Sequence, residues 1–384
     1  MVNKKGKQLT MAKKNSPINT NDKILTVGIP AYKAHKEICD CLSSINIQTI
    51  RQNLKVIIAS DWPEDDYSYT KERFPDLDIT ILPCEKNVGP GLARQHCLDA
   101  CKTDWITFID ADDVFFGPLS LETLVRGIQQ NVIEVQGIFF QEIQGHPQMR
   151  LAPRNDPGHP WVFGRMYNVK FLKENDIKFT ELRAMEDGEF NWKIRMTIEG
   201  SPLLINIVNE PIYFWRTGSE HSITRYGIDK KGIPQYNFDL CQLGATIASI
   251  RAAKFCQKKN PFNGSITRFI TEMMIGQYFT YVECLDKKPV FAKQNFFNAK
   301  RFYHECFKEI ESKIDDKILR DMYTMQNAAK AQDLIGIIPE ITFSEFMEKI
   351  KKEKYGGEKE LEEIRAKLPK KIVENDRKTG VATF

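Results

Sequence analysis

Long apolar runs are missing from this 384-residue chain. No stretch approaches the roughly 18 apolar residues that a membrane-spanning helix needs. The amino terminus, MVNKKGKQLTMAKKNS, is basic but lacks the apolar core of a secretory signal. The nine cysteines form no CxxC pair and no cluster with the six histidines. Structural zinc and a disulfide framework are therefore not expected, and reduced thiols in a cytoplasm are. Two common nucleotide-binding fingerprints are absent as well: neither GxGxxG nor GxxxxGK[ST] occurs. There is no internal repeat.

What remains is ordinary globular material, 42% hydrophobic and 28% charged, long enough for two or three domains. The net charge of +4 is unevenly spread. Residues 1–23 carry six Lys and one Asp, a net of +5. Residues 231–384 carry 27 Lys+Arg against 21 Asp+Glu, a net of +6, which leaves 24–230 at −7. A basic flank can hold an acidic polymer, or it can be a solvated helical surface.

Apolar runs at 24–32, 54–60, 78–83 and 104–113 read as buried strands, and 35–47 and 90–102 as the helices between them. That alternation predicts an α/β fold, a mostly parallel sheet with helices on both faces. A helix at 119–130, a strand at 132–140, a helix near 169–175, a helix at 186–199 and a strand at 203–215 follow. Beyond Gly232 the pattern turns helical, at 237–256, 266–285, 291–311, 314–331 and 343–366. The organisation expected is a disordered basic arm (1–22), an α/β domain (23–230) and a helical carboxyl-terminal domain (231–384).

The polar motifs fall at strand ends, where open α/β sheets bind ligands. Asp110-Ala111-Asp112-Asp113 leaves a very apolar strand. Hard divalent cations take oxygen ligands, and Mg²⁺ or Mn²⁺ commonly shares one or two carboxylates with substrate phosphates. The same carboxylates could instead cap the helix that starts near Leu119. Upstream, Asn87-Val88-Gly89-Pro90-Gly91 precedes a helix, which puts backbone N–H groups at a positive dipole end. Arg94 lies one turn in and offers a fork for phosphate or nucleotide oxygen.

The ordered set TVGIPAY, IIASDWPED, EKNVGPGLARQ, TDWITFIDADD and MEDGEFNWKI resembles the family 2 glycosyltransferases, over roughly residues 24–226. The resemblance implies a GT-A fold and an inverting, metal-dependent, non-processive enzyme using a nucleotide-diphosphate sugar. QxxRW, which the processive membrane members carry, is absent. Carried over by motif, Pro30, Tyr32, Asp61, Asn87, Gly89 and Arg94 would line the nucleotide, although Lys33 stands where the family often has Asn. Asp112 would bind the metal, and Asp110 the ribose or metal. Asp113 would orient the sugar. Glu186-Asp187 matches the ED pair, with Asp187 as general base. Trp215-Arg216 and His221 resemble the element that closes the site, with His221 a possible further metal ligand. Trp161, Trp192 and Trp215 are candidate sugar platforms, but Trp192 falls inside a helix, where core packing suits it.

The region after 231 looks similar to that appended to phage-encoded family 2 enzymes. On that resemblance the acceptor would be a hydroxymethylated base of phage DNA, flipped out of the duplex in the host cytoplasm, with Lys254, Lys258 and Lys259 near its phosphates. The competing readings are a bacterial surface glycan as acceptor, or a binding module that has lost catalysis. Oligomeric state is not legible.

Overall fold

The structure is a computed structural model and describes residues 22–141, 160–216, 225–228, 234–236, 238–259, 264–287, 289–314 and 341–367. The expected arm (but for Asp22), the expected helix 314–331 (but for Ile314), His221 and most of the expected 145–160 loop lie outside these residues.

Four parallel strands form one half of the sheet: β1 (Leu25–Ala31), β2 (Leu54–Ser60), β3 (Ile79–Pro83) and β4 (Trp105–Phe108). Their side chains are almost all apolar and most are buried, as strands covered on both faces require. Helices α1 (Ile38–Asn46), α2 (Tyr69–Arg73) and α3 (Pro90–Ala100) connect them. The other half is mixed. A two-residue β5 (Val114–Phe115), α4 (Ser120–Arg126), β6 (Val132–Gln141), β7 (Arg165–Asn168), α5 (Val169–Glu174), α6 (Glu186–Ile198) and β8 (Leu204–Trp215) follow. The eight strands run in the order β3-β2-β1-β4-β7-β6-β8-β5. β7 is antiparallel to both neighbours, and β6 pairs parallel with β8. A small ribbon of β9 (Arg225–Ile228) and β10 (Pro234–Tyr236) leads to the helical region.

That region contains α7 (Phe238–Lys259), α8 (Gly264–Lys287) and α9 (Pro289–Phe302), the last running on through a π-helical stretch at Tyr303–Phe307. The single helix expected at 343–366 is two, α10 (Phe343–Lys352) and α11 (Gly357–Arg365). The break is at Gly356-Gly357, where Gly357 takes φ +63°, a left-handed turn that a continuous helix does not permit. α10 begins on a capping box between Thr342 and Glu345.

Two apolar cores result, and α6 belongs to both. Phe190 and Ile194, one turn apart, face the core under the sheet. Trp192 and Met196, also one turn apart, join the core of the helical region together with Leu182. A helix buried on two faces in this way is an interior element. Among the described residues no helix is long and apolar enough to cross a membrane. The nine cysteines are all thiols, seven of them buried.

Candidate active site

The carboxyl ends of the adjacent parallel strands β2, β1 and β4 lie at one edge of the sheet. The loop entering α3 lies beside them. Gly89 is the N-cap residue of that helix and takes φ +86°, with Pro90 at the first helical position. The Val88 and Gly89 N–H groups donate to the two carboxylate oxygens of Asp61 at 2.6 and 2.9 Å. Asp61 is 3% exposed. Burial raises its pKa, and the two N–H bonds oppose that rise. Asp61 therefore latches the loop from below. Each of its oxygens keeps a second lone pair, so the latch leaves room for the base contact that the resemblance implies.

Arg94 is committed within the fold. It is 3% exposed and points inward. One terminal nitrogen donates to Glu186 and the other to Asp110, both at 2.5 Å. Its fork is spent on carboxylates, so it ties two distant segments together instead of projecting toward a phosphate. Burial opposes its charge, but Asp110, Glu186 and Asp187 outweigh burial and hold it protonated. The tie needs α3 to press against the turn before α6. A Cβ on Gly91 would stand 2.1 Å from the Thr180 carbonyl oxygen and 3.1 Å from Glu186 Cβ, so only glycine permits that approach.

Asp187 follows Glu186 at the start of α6 and is 8% exposed. Neither residue is the N-cap, a place taken by Met185 in a left-handed conformation, φ +66°. One Asp187 oxygen accepts the Gly188 N–H at 2.7 Å. Burial, then the neighbouring Glu186 charge, push the Asp187 carboxyl up to about 8, with Arg94 opposing. Glu186 is raised too, by burial, and Arg94 again opposes. A carboxyl kept protonatable near neutrality is what a general base requires.

Asp110, Asp112 and Asp113 place carboxylate oxygens within 4.8 Å of one another. They do not cap α4, whose N-cap residue is Leu119, with no side-chain cap bond. Asp113 is buried and spoken for: the Tyr213 hydroxyl donates to it at 2.5 Å and the Arg216 N–H at 2.7 Å. The same Tyr213 oxygen accepts the Asp110 N–H at 3.2 Å. Burial, then the Asp112 and Asp110 charges, raise Asp113 well above the usual carboxylate range. An all-oxygen set under mutual repulsion fits a hard divalent cation, and Asp112, half-exposed, stands at its accessible side. The two Asp113 oxygens hold β8 and the acidic turn together.

Beyond Pro30, on the rim, Tyr32 meets Trp62 edge-on, with ring centroids 5.7 Å apart. Lys33 takes φ +50°, its N–H held by Asp65 at 2.7 Å, and its ammonium lies 4.1 Å from the Trp62 ring centroid. Trp215 packs near Trp161 and Phe163, at 6.2 and 5.2 Å between centroids. The Arg216 side chain reaches Asp40 on α1 at 3.0 Å. Trp192 is not a platform; it sits in the second core beside Phe269.

Two residues of the site escape a reading of the sequence. Tyr213 is legible there only as the β-strand neighbour, two residues back, of Trp215. Arg183, in the segment ELRAMED, donates to the Asn87 side-chain oxygen and lies against Gly89. Desolvation lowers its pKa, and the charges of Asp61 and Tyr32 oppose that. Arg183 thus supplies the cation beside the loop that Arg94 does not.

The glycosyl transferase family 2 profile matches residues 26–188. The chain is 32% identical over 235 residues to the amylovoran biosynthesis glycosyltransferase AmsB of Erwinia amylovora, covering 54% of this chain and 72% of that protein. It is 22% identical over 229 residues to the poly(ribitol-phosphate) beta-glucosyltransferase of Bacillus spizizenii, covering 56% of this chain but spanning only 35% of that protein. Among solved structures it superposes on S. aureus TarS 1–349 in complex with UDP-GlcNAc with a TM-score of 0.60 at 16% identity, covering 81% of this chain and 92% of that one. That likeness shows the fold, GT-A with helices appended. With the motif order, the fold and the AmsB match in agreement, the chain belongs to glycosyl transferase family 2.

Proposed function

We propose that the chain transfers a sugar, with inversion, from a nucleoside-diphosphate sugar to a hydroxyl of a bacterial surface glycan. One observation carries the reading. Arg94 bridges Asp110 and Glu186, so the proposed base at Asp187 and the acidic turn are brought side by side although 74 or more residues separate them. The loop before α3 and Arg183 receive the diphosphate, and Tyr32, Trp62 and Lys33 flank the base. A divalent ion, Mg²⁺ or Mn²⁺, held chiefly by Asp112 would neutralise charge growing on the leaving diphosphate. Asp187 takes the proton of the attacking hydroxyl as the acceptor oxygen bonds to the anomeric carbon. The anomeric carbon–oxygen bond to the diphosphate breaks on the opposite side, and the nucleoside diphosphate departs. One transfer per encounter accords with the absence of QxxRW.

The names of two relatives, for poly(ribitol-phosphate) glucosylation and amylovoran biosynthesis, support a surface glycan as acceptor. The basic charge that suggested DNA is partly consumed internally. Lys254 pairs with Glu305 at 2.7 Å, and the Lys259 ammonium donates to the Asn175 carbonyl oxygen. A panel of UDP-, GDP-, TDP- and CMP-sugars tests the reading against poly(ribitol phosphate), a soluble exopolysaccharide and hydroxymethylated DNA, with intact mass as readout. Mass added to a glycan is the expected result. Mass added to DNA overturns the acceptor, and no transfer from any donor overturns the reading.

Arg183 gives a separate prediction. Arg183→Gln should raise KM for the donor about 10- to 100-fold with kcat little changed, because a charge-assisted bond to a diphosphate is worth about 1.5–3 kcal/mol. Steady-state kinetics on the active donor check it; an unchanged KM removes Arg183 from the diphosphate site.

A further inference from the structure

Among the described residues the helical region meets the turn from Thr180 to Glu189, which delivers Glu186 and Asp187. α7 lies along it. A Cβ on Gly244 of α7 would stand 2.5 Å from the Ala184 carbonyl oxygen and 3.2 Å from its carbonyl carbon, so α7 rests directly on the backbone two residues before Glu186. Next in the chain is Met185, left-handed at φ +66° and without a side-chain cap bond. A non-glycine residue in that conformation persists only where its surroundings hold it. About two turns along α7, Arg251 pairs with Glu181 at 2.8 Å and approaches Glu189 at 4.0 Å. Glu189 is buried; it accepts the Thr180 hydroxyl at 2.8 Å and also pairs with Lys193. Leu182, Trp192 and Met196 give the turn and α6 an apolar anchor in the same helical core. The opposite side of the turn is pressed by α3 at Gly91.

We propose that α7 is a clamp that sets the position of the Glu186-Asp187 pair, with Gly244 and Arg251 as positioning residues for transfer. The turn is held between α3 and α7, and the helical region serves the chemistry through this contact. This rests on the reading that Asp187 is the base.

The test uses the full-length chain. Gly244→Ala should lower kcat about 10²-fold, the loss that a displacement of about 1 Å produces. The Kd for the nucleoside diphosphate that binds the wild type should rise no more than about tenfold, because of the groups proposed to hold the donor only Arg183 shares the turn with Ala184. Amides 183–189 should exchange hydrogen faster than in the wild type. Gly276→Ala, at a position with nothing within 4 Å of the added Cβ, should change none of these. Arg251→Gln, at a partly exposed pair that does not threaten folding, should lower kcat about 3- to 10-fold, and Arg251→Lys should restore most of it. Unchanged exchange at 183–189 in Gly244→Ala overturns the clamp, as does faster exchange with wild-type kcat. Loss of kcat and donor affinity in equal measure would make the contact merely structural. Should Asp187→Asn retain full transfer, the base assignment fails instead, and the exchange measurement still judges the clamp.

Discussion

Asp187→Asn should remove transfer while leaving donor binding nearly intact. The side chains are close in shape, and an Asn oxygen can still accept the Gly188 N–H that Asp187 takes at 2.7 Å. Only the ability to receive a proton is lost. A positioned general base contributes about 10²–10⁴-fold, so kcat should drop by that much. The Kd for the nucleoside diphosphate should move less than about threefold, and calorimetric titration beside a transfer assay reads both. Equal loss of the two would assign Asp187 to structure. The wild-type pH profile gives an independent check. The carboxyl is pushed up to about 8, chiefly by burial, and the base form is the ionised one. kcat/KM should therefore rise with pH and level off above about 8. Stability should move the opposite way. The folded Glu186-Asp187 pair holds a proton that the unfolded chain releases near pH 4, so this contribution falls as pH rises from about 4 to about 8. Asp187→Asn lacks that loss and should melt higher than the wild type at pH 8.

Asp112→Ala carries the second large expectation. Transfer should fall on the order of 10³-fold, the rate equivalent of several kcal/mol of leaving-group stabilisation. Unlike the Asp187 variant, this one should also lose Mn²⁺ binding, read by paramagnetic resonance titration in the presence of the diphosphate. Folding should be spared, because Asp112 is half-exposed. Asp113→Ala makes the useful contrast. It would leave the buried Tyr213 hydroxyl and the Arg216 N–H without their acceptor, at a cost of about 1–3 kcal/mol of stability. Two adjacent carboxylates should thus separate cleanly, one by activity and one by melting temperature. Full Mn²⁺ affinity in Asp112→Ala would remove it from the metal site.

Much of this geometry is legible in the amino-acid sequence itself. The apolar strands ending at Ala31, Ser60 and Phe108 announce themselves by composition, and the carboxylates that follow Ser60 and Phe108 stand out against it. Where a side chain goes afterwards is a different matter. Arg94 reads as a fork for phosphate because nothing in its neighbours says that Glu186, 92 residues on, is waiting for it. That Asp61 also latches the Val88 and Gly89 amides is visible only in the fold, where they meet it. Arg183 escapes notice because a lone Arg in a loop carries no periodic signal. Gly91 and Gly244 look like ordinary helical glycines until the backbones they admit are in place. The helical pattern at 343–366 runs through Gly356-Gly357 because an unbroken mixture of Lys and Glu masks the left-handed turn between the two helices.

The two faces of α6 bear on how such chains can be recombined. A chimera cut at residue 230, between sheet and helices, would look clean by secondary structure. It would pair Leu182, Trp192 and Met196 with a foreign bundle, and it would set a new α7 against the Ala184 carbonyl. Exchanging helical regions between relatives therefore demands that these three side chains and the residue facing Ala184 travel as a set. A glycosyltransferase tail grafted without them would replace the surroundings that hold the proposed base.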